Sequence, residues 1–262
     1  MLELYYFPTA TCGYKARLTL AEKGVDFTHR VLDRDAGELT TPEYLKLNPN
    51  AVVPTMVHDR EVLIESSIIM VYTDEAFDGP PLRPEDALGR ARTAAWLKKV
   101  DEYLLSVGAT TYGIFNRKNI LKKSPEELEA YYNAIPSAER RRVRRSWVEE
   151  GVEAPTVRTG IRTLDKMLGE LETTLSDAGY VTGADYGLAD TAVTPFVSRL
   201  NELALSWMWS DRPRVAAWWD RIRERDSFDT VFGAFPNPER AAGMRAAGEE
   251  ARDAIEKILS AE

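Results

Sequence analysis

One cysteine stands in 262 residues, Cys12. A single thiol excludes an intrachain disulfide, a dithiol redox pair and a multi-cysteine zinc site. Histidine is almost as scarce. His29 and His58 are the whole supply; each reads as a surface residue, and no metal site is expected. Positive charge is in deficit: 34 Lys and Arg face 42 Asp and Glu, a formal net charge of −8. That balance argues against a nucleic-acid footprint spread over the surface. No apolar run approaches the ~20 residues of a membrane-spanning helix. The stretch from Leu4 to Gly13 is too short for a secretory leader and has no basic residue ahead of it. A soluble protein in a reducing, cytoplasmic setting is expected.

Against these absences stands an ordinary globular composition, 44% hydrophobic and 29% charged, which can bury a sizeable core. The chain is punctuated at Asp78-Gly79-Pro80-Pro81-Leu82-Arg83-Pro84, which reads as a linker. Ahead of it, strand and helix signals alternate. Leu2 to Phe7 reads as a strand, Gly13 to Lys23 as a helix stopped by Gly24, and Phe27 to Leu32 as a second strand. Pro42 to Leu47 reads as a helical turn, Thr55–Val57 and Val62–Ile64 as a hairpin, and Ser66 to Phe77 as a helix. The order βαβ, αββα is that of a thioredoxin-like α/β domain, placed at residues 1–79.

The remainder, residues 88–262, reads as an all-helical domain. Leu88, Ala91, Ala95, Val100 and Leu104 form an apolar series within a predicted helix from Glu85 to Leu105. Ser124-Pro125-Glu126-Glu127 carries a capping residue, a first-position proline and the Glu of a capping box. Further helices are predicted over Thr156–Leu175, Leu188–Leu205, Arg212–Arg225 and from Pro238 onward. The basic run Glu139 to Arg145 reads as a solvated helix face, with polyanion binding as the alternative.

Three places carry chemistry. Val53-Pro54 opens a strand, so its peptide is a candidate cis bond, and a trans turn is the plainer alternative. A cis bond there leaves the backbone of Val53 free to pair with an extended, peptide-like ligand. Glu65-Ser66 opens a helix. With Ser66 as N-cap, the free N–H groups favour a carboxylate and Glu65 can take an ammonium; simple capping explains the pair equally well. Cys12 precedes the first helix, where a thiolate is stabilised, although a buried structural thiol fits the same position.

The ordered set Leu4-Tyr5-Tyr6-Phe7, Cys12, Ala21-Glu22-Lys23-Gly24, Leu47 to Pro54 and Leu63 to Ile69 resembles the N-terminal domain of cytosolic glutathione transferases. Tyr180 to Asp185 followed by Gly187-Leu188-Ala189-Asp190 is similar to the capping segment of that family's central C-terminal helix. Leu82-Arg83-Pro84, Trp96 to Tyr103 and the polar insert from Ser124 to Gly151 resemble the bacterial β-etherase branch.

This resemblance implies glutathione as co-substrate, its thiolate attacking an electrophilic carbon, and cleavage of β-aryl ethers. It implies that Val53 and Pro54 bind the cysteinyl part of glutathione and that Glu65 and Ser66 bind the γ-glutamyl end. Asp101 would reach the amine across a homodimer. For thiolate activation, Cys12 and Thr11 are favoured together, with Tyr6 third. A small aromatic electrophile is expected among Tyr103, Tyr112, Phe115, Trp147, Trp207 and Trp209. The alternatives are thiol transfer through Cys12 and glutathione binding without catalysis. The chain departs from the family pattern at Val52, where Gln or Lys is common, and at Gly187, where Ser or Thr is usual.

Overall fold

The computed structural model describes residues 1–34, 36–175 and 179–261. Four strands, β1 (Leu2–Tyr6), β2 (Thr28–Val31), β3 (Thr55–His58) and β4 (Glu61–Ile64), alternate with α1 (Thr11–Glu22), α2 (Pro42–Leu47) and α3 (Ser66–Ala76). Then come α4 (Ala87–Thr111), a π-helical turn at Tyr112–Asn116, α5 (Arg117–Ile120), α6 (Pro125–Asn133), α7 (Ala138–Glu149) and α8 (Pro155–Thr174). The chain closes with α9 (Leu188–Glu202), α10 (Pro213–Arg223), α11 (Asp226–Phe232) and α12 (Pro238–Ser260).

Two compact units share these elements. The first comprises Met1–Asp101, Leu175–Pro195 and Ala217–Pro236; the second comprises Glu102–Thr174, Phe196–Ala216 and Asn237–Glu262.

The first unit is built on a four-stranded sheet in the order β2-β1-β3-β4. β1 runs parallel to β2 and antiparallel to β3, and β3 is antiparallel to β4. Strand alternation puts Leu2, Leu4 and Tyr6 on one face. That face is buried against Ala16 and Leu20 of α1, Met56 of β3 and Ile69 of α3. Asp59 and Arg60, both at positive φ, form the tight turn between β3 and β4, the geometry that matches the twist of a hairpin.

Beyond α1, Glu22 accepts two hydrogen bonds from Arg225 at 2.7 and 2.6 Å. Arg225 in turn lies 3.8 Å over the Tyr186 ring. The segment that reads as a linker is fastened at several atoms. Lys23 donates to the carbonyl of Pro80 at 3.1 Å. Asp74 accepts from the Leu82 amide at 2.9 Å and from Arg83 at 2.8 Å.

The start of α9 depends on one buried carboxylate. Asp190 accepts from the amides of Val181 and Gly187 and from the indole N–H of Trp218, at 3.0, 3.1 and 2.8 Å. Burial nevertheless pushes its carboxyl up to about 6. The glycine at 187 has a steric cause: a Cβ there would stand 2.7 Å from the carbonyl oxygen of Leu82. The space that a capping Ser or Thr would fill is occupied by backbone.

In the second unit, Val157, Ile161, Leu164, Leu168 and Leu171 give α8 one fully buried stripe. The capping box of α6 is formed as the sequence predicts. Ser124 Oγ accepts from the Glu127 amide at 3.2 Å, and Glu127 accepts from the Ser124 amide at 2.8 Å.

One expectation is corrected here and a second is refined. The buried stripe of α4 runs through Thr93, Trp96, Leu97, Val100, Tyr103 and Val107, while Leu88 is 60% and Leu104 39% exposed. Counting aliphatic residues misplaced the face, because a threonine and two aromatics carry it. The basic run is a surface face, with Glu139, Arg140 and Arg142 exposed, but several of its arginines also have specific partners. Arg144 lies 3.5 Å over the Tyr112 ring. Arg145 pairs with Glu129 at 2.8 and 2.9 Å, and Arg141 donates to the Ile135 carbonyl at 3.1 Å.

Replacing Asp190 by Ala leaves three buried N–H donors without an acceptor. It is expected to destabilise the protein by on the order of 3 kcal/mol, measured as a shift in the urea unfolding midpoint.

Candidate active site

Two helices of the first unit start close together. α1 begins after Ala10, which offers no side-chain cap. Thr11 and Cys12 therefore occupy a first turn whose amides are left for other partners. α3 begins after Glu65, which is its N-cap and sits at φ 69°. This corrects the expectation for Ser66: it is the first helical residue rather than the cap. A non-glycine residue at positive φ is costly and marks functional sites more often than others.

Between the two helices in sequence, the loop before β3 is held rigidly. Tyr44 Oη donates to the carbonyl of Val52 at 2.6 Å. Asn48 donates to the same carbonyl at 2.9 Å and to Thr55 Oγ1 at 3.0 Å. The Val53–Pro54 peptide is cis. Val53 is itself buried, and among the described residues no hydrogen bond engages its amide or carbonyl. A backbone donor and acceptor left open in a fixed loop suit an extended peptide partner.

Cys12 is half-buried. Burial pushes its thiol up, and the positive charge of Lys15 and a hydrogen bond with Ser66 pull against that rise. Of the two readings of Cys12, the direction of this shift favours the buried thiol over the stabilised thiolate for the free protein. Lys15, one turn further along α1, has its side chain 1% exposed. Its ammonium donates to Ser67 Oγ at 2.7 Å and to Asp101 Oδ1 at 2.8 Å. Ser67 Oγ also donates to Asp101 Oδ1 at 2.8 Å.

The structure thus brings Cys12, Glu65, Ser66 and Asp101 into one electrostatic neighbourhood. Lys15 and Ser67 belong to it and were not singled out from the sequence. The signal was available: a lysine three residues after the cysteine in an apolar helix face.

Tyr6 is not brought in. It is fully buried in the core, its hydroxyl 2.7 Å from Nδ1 of His29 on β2. Arg17 lies 4.8 Å over its ring, and burial pushes its phenol up.

The aromatic candidates of the second unit are largely committed to partners within it. Tyr103 donates to Glu170 at 2.9 Å. Trp147 donates to Thr156 at 2.8 Å and its ring lies 5.9 Å from Tyr112. Trp209 is buried. Phe115 lies beneath Arg240 and Trp207 beneath Arg252. A groove of about 340 Å³ lies on the opposite sheet face, lined by Tyr5, Arg30, Thr41 and Tyr44 among others, and includes none of the site candidates. Among the described residues no group of three or more His, Cys, Asp or Glu is placed to hold a metal ion, and no helix is long and apolar enough to cross a membrane.

Known proteins with this organisation decide its kinship. The description "Glutathione S-transferase, N-terminal domain" matches residues 11–76, and "Glutathione S-transferase, C-terminal domain" matches 116–226. The chain belongs to the glutathione S-transferase family.

Protein LigF of a Sphingobium strain is 31% identical over 88% of this chain and 93% of its own length. The tetrachloro-p-hydroquinone reductive dehalogenase of Sphingobium chlorophenolicum is 30% identical over 88% and 95%. The crystal structure of β-etherase LigF superposes with a TM-score of 0.80 at 28% identity, covering 89% of this chain and 99% of that one. The likeness to a glutathione S-transferase-I bound with lactoylglutathione, 19% identical with a TM-score of 0.69, is one of fold. This glutathione S-transferase is therefore an enzyme that takes glutathione as co-substrate and directs its thiolate at an electrophilic carbon. Thiol transfer through Cys12 is not favoured.

Two measurements check the local chemistry. In the free enzyme, alkylation of Cys12 is expected to rise with pH through a midpoint above the ~8.5 of an ordinary cysteine; a lower midpoint would show that the helix start and Lys15 outweigh burial. Tyr6→Phe is expected to keep turnover within about twofold of wild type and to lose about 1 kcal/mol of stability with the His29 hydrogen bond.

Proposed function

We propose that this glutathione S-transferase cleaves β-aryl ethers. The observation that carries the reading is the likeness to β-etherase LigF along almost the whole chain. In the proposed reaction the thiolate of glutathione attacks the carbon bearing the aryloxy group. A C–S bond forms as the C–O bond breaks, and the electron pair leaves with the aryl oxygen. That oxygen takes up the proton equivalent to the one lost by the thiol, giving a thioether and a phenol.

The proposed roles follow the open groups of the site. Val53, before Pro54, pairs its backbone with the cysteinyl part of glutathione. Ser66 and the α3 amides hold the γ-glutamyl carboxylate, and Glu65 takes the ammonium. Cys12, kept protonated by burial, and Thr11 donate hydrogen bonds to the thiolate. Asp101 reaches the amine of glutathione in a partner copy through the oxygen not shared by Lys15 and Ser67. In this division residues 1–79 carry the glutathione site and residues 88–262 the electrophile site.

The aromatic nature of the electrophile rests on the relatives and not on the aromatic side chains of the helical unit. A cytoplasmic homodimer is part of the proposal. Ile68 on α3 and Leu88 on α4, 58% and 60% exposed in the first unit, support a covering partner.

Incubation with a β-aryl ether dimer is expected to release phenol only when glutathione is present. Release without glutathione, or turnover confined to halogenated hydroquinones, would overturn the ether reading. Ser66→Ala is expected to raise the KM for glutathione about tenfold, the worth of a hydrogen bond to a charged group.

A further inference from the structure

Lys15 is the least expected residue of the first unit. Its side chain is 1% exposed on a helix packed against the sheet, where an ammonium carries a heavy desolvation cost. A methionine would fill nearly the same volume without it. Asp101, its partner, is 49% exposed and would keep its hydration without Lys15. The pair therefore does not explain why the lysine is buried.

Position supplies the reason. Lys15 follows Cys12 by three residues on α1, so the two side chains share one helix face. Of the charged groups that meet there, Lys15 on α1, Glu65 before α3 and Asp101 on α4, Lys15 is the only cation among the described residues. The neutral groups facing it are Cys12, Ser66 and Ser67. Without Lys15, the place where the thiolate has to form would have two carboxylates nearby, making the thiolate a third anion. An ammonium has three N–H donors, and Ser67 and Asp101 take two of them. Those two acceptors fix the charge in place and do not let it swing to solvent.

We propose that Lys15 is a positioning residue of the thiol site: its buried ammonium, clamped by Ser67 and Asp101, supplies the positive field in which the bound glutathione thiol ionises. The inference rests on the reading of α1 and α3 as the glutathione site. It goes beyond that reading in naming a residue that acts through its charge and makes no contact of its own with the reacting atoms. The field of a nearby fixed cation favours the anionic form of an acid, and water is largely excluded from this one.

The test compares wild type, Lys15→Met and Lys15→Arg. Calorimetry gives glutathione affinity. The ultraviolet absorbance of the thiolate, taken as the difference between liganded and free enzyme, gives the ionisation of the bound thiol. The pH profile of kcat/KM provides a second readout.

Lys15→Met is expected to move the ionisation of the bound thiol and the acid limb of the profile up by about one pH unit, a tenfold loss of thiolate at neutral pH. Lys15→Arg, which keeps the charge, is expected to stay with wild type. Lys15→Gln replaces Lys15→Met should the latter fail to fold, with the same upward shift expected.

A folded, glutathione-binding Lys15→Met or Lys15→Gln enzyme that titrates like wild type overturns the proposal. So does a Lys15→Arg enzyme that shifts as far as Lys15→Met, since the effect would then come from shape. Absence of glutathione binding by the wild type removes the functional reading and this proposal together. Binding with an unchanged titration removes this proposal alone.

Discussion

Everything at the site depends on the burial of one face of β1. Leu2, Leu4 and Tyr6 are covered by α1 and α3 together, so the two helices lie on the same side of one sheet. The site is the place where both begin. A helix start is the one part of a helix that leaves backbone donors unused. Two of them close together, with the backbone of Val53 left unpaired, are the groups to which the proposed function assigns the ends and the middle of a small peptide. The hydrophobic core and the chemistry are thus consequences of the same alternation of side chains along five residues of β1.

The electrostatics at Cys12 work against ionisation of the protein's own thiol, and under the proposal they work in favour of an incoming one. Burial acts on Cys12 more strongly than the neighbouring ammonium does. A ligand sulfur that keeps more water than Cys12 does would feel the same cation with a smaller desolvation penalty. The distinction between a cysteine that stays protonated and a cofactor thiol that ionises then requires no difference in intrinsic acidity, only a difference in depth.

Features set by local chemistry were legible in the sequence. The capping box at Ser124, the proline-led helix from Pro42 and the hairpin around Asp59-Arg60 all form where their residue types demand. The Glu65-Ser66 pair was legible as a helix start, yet the cap falls one residue earlier than expected, because the positive φ of Glu65 is a tertiary constraint without a sequence sign. The face of α4 was misjudged for a related reason: Thr93 and Trp96 turn inward, leaving Leu88 to solvent. Tyr6 sits in a familiar motif, but its hydroxyl is claimed by His29 from a strand 23 residues away. The arginines of α7 lie at the surface as their run suggests, but the sequence does not show that Tyr112 and Glu129 face two of them. In each case a partner distant in sequence decided the outcome.

The segment from Asp78 to Pro84 shows how misleading a composition can be. Proline and glycine give it the look of a tether that a protease would find first. A protease must draw its substrate into an extended strand and bond to its free amides and carbonyls. Here the carbonyl of Pro80 is committed to Lys23 and the amide of Leu82 to Asp74, and three of the residues between Asp78 and Pro84 have no amide hydrogen at all. The most loop-like stretch of the chain therefore offers a proteolytic enzyme very little backbone to hold, and first cuts belong elsewhere.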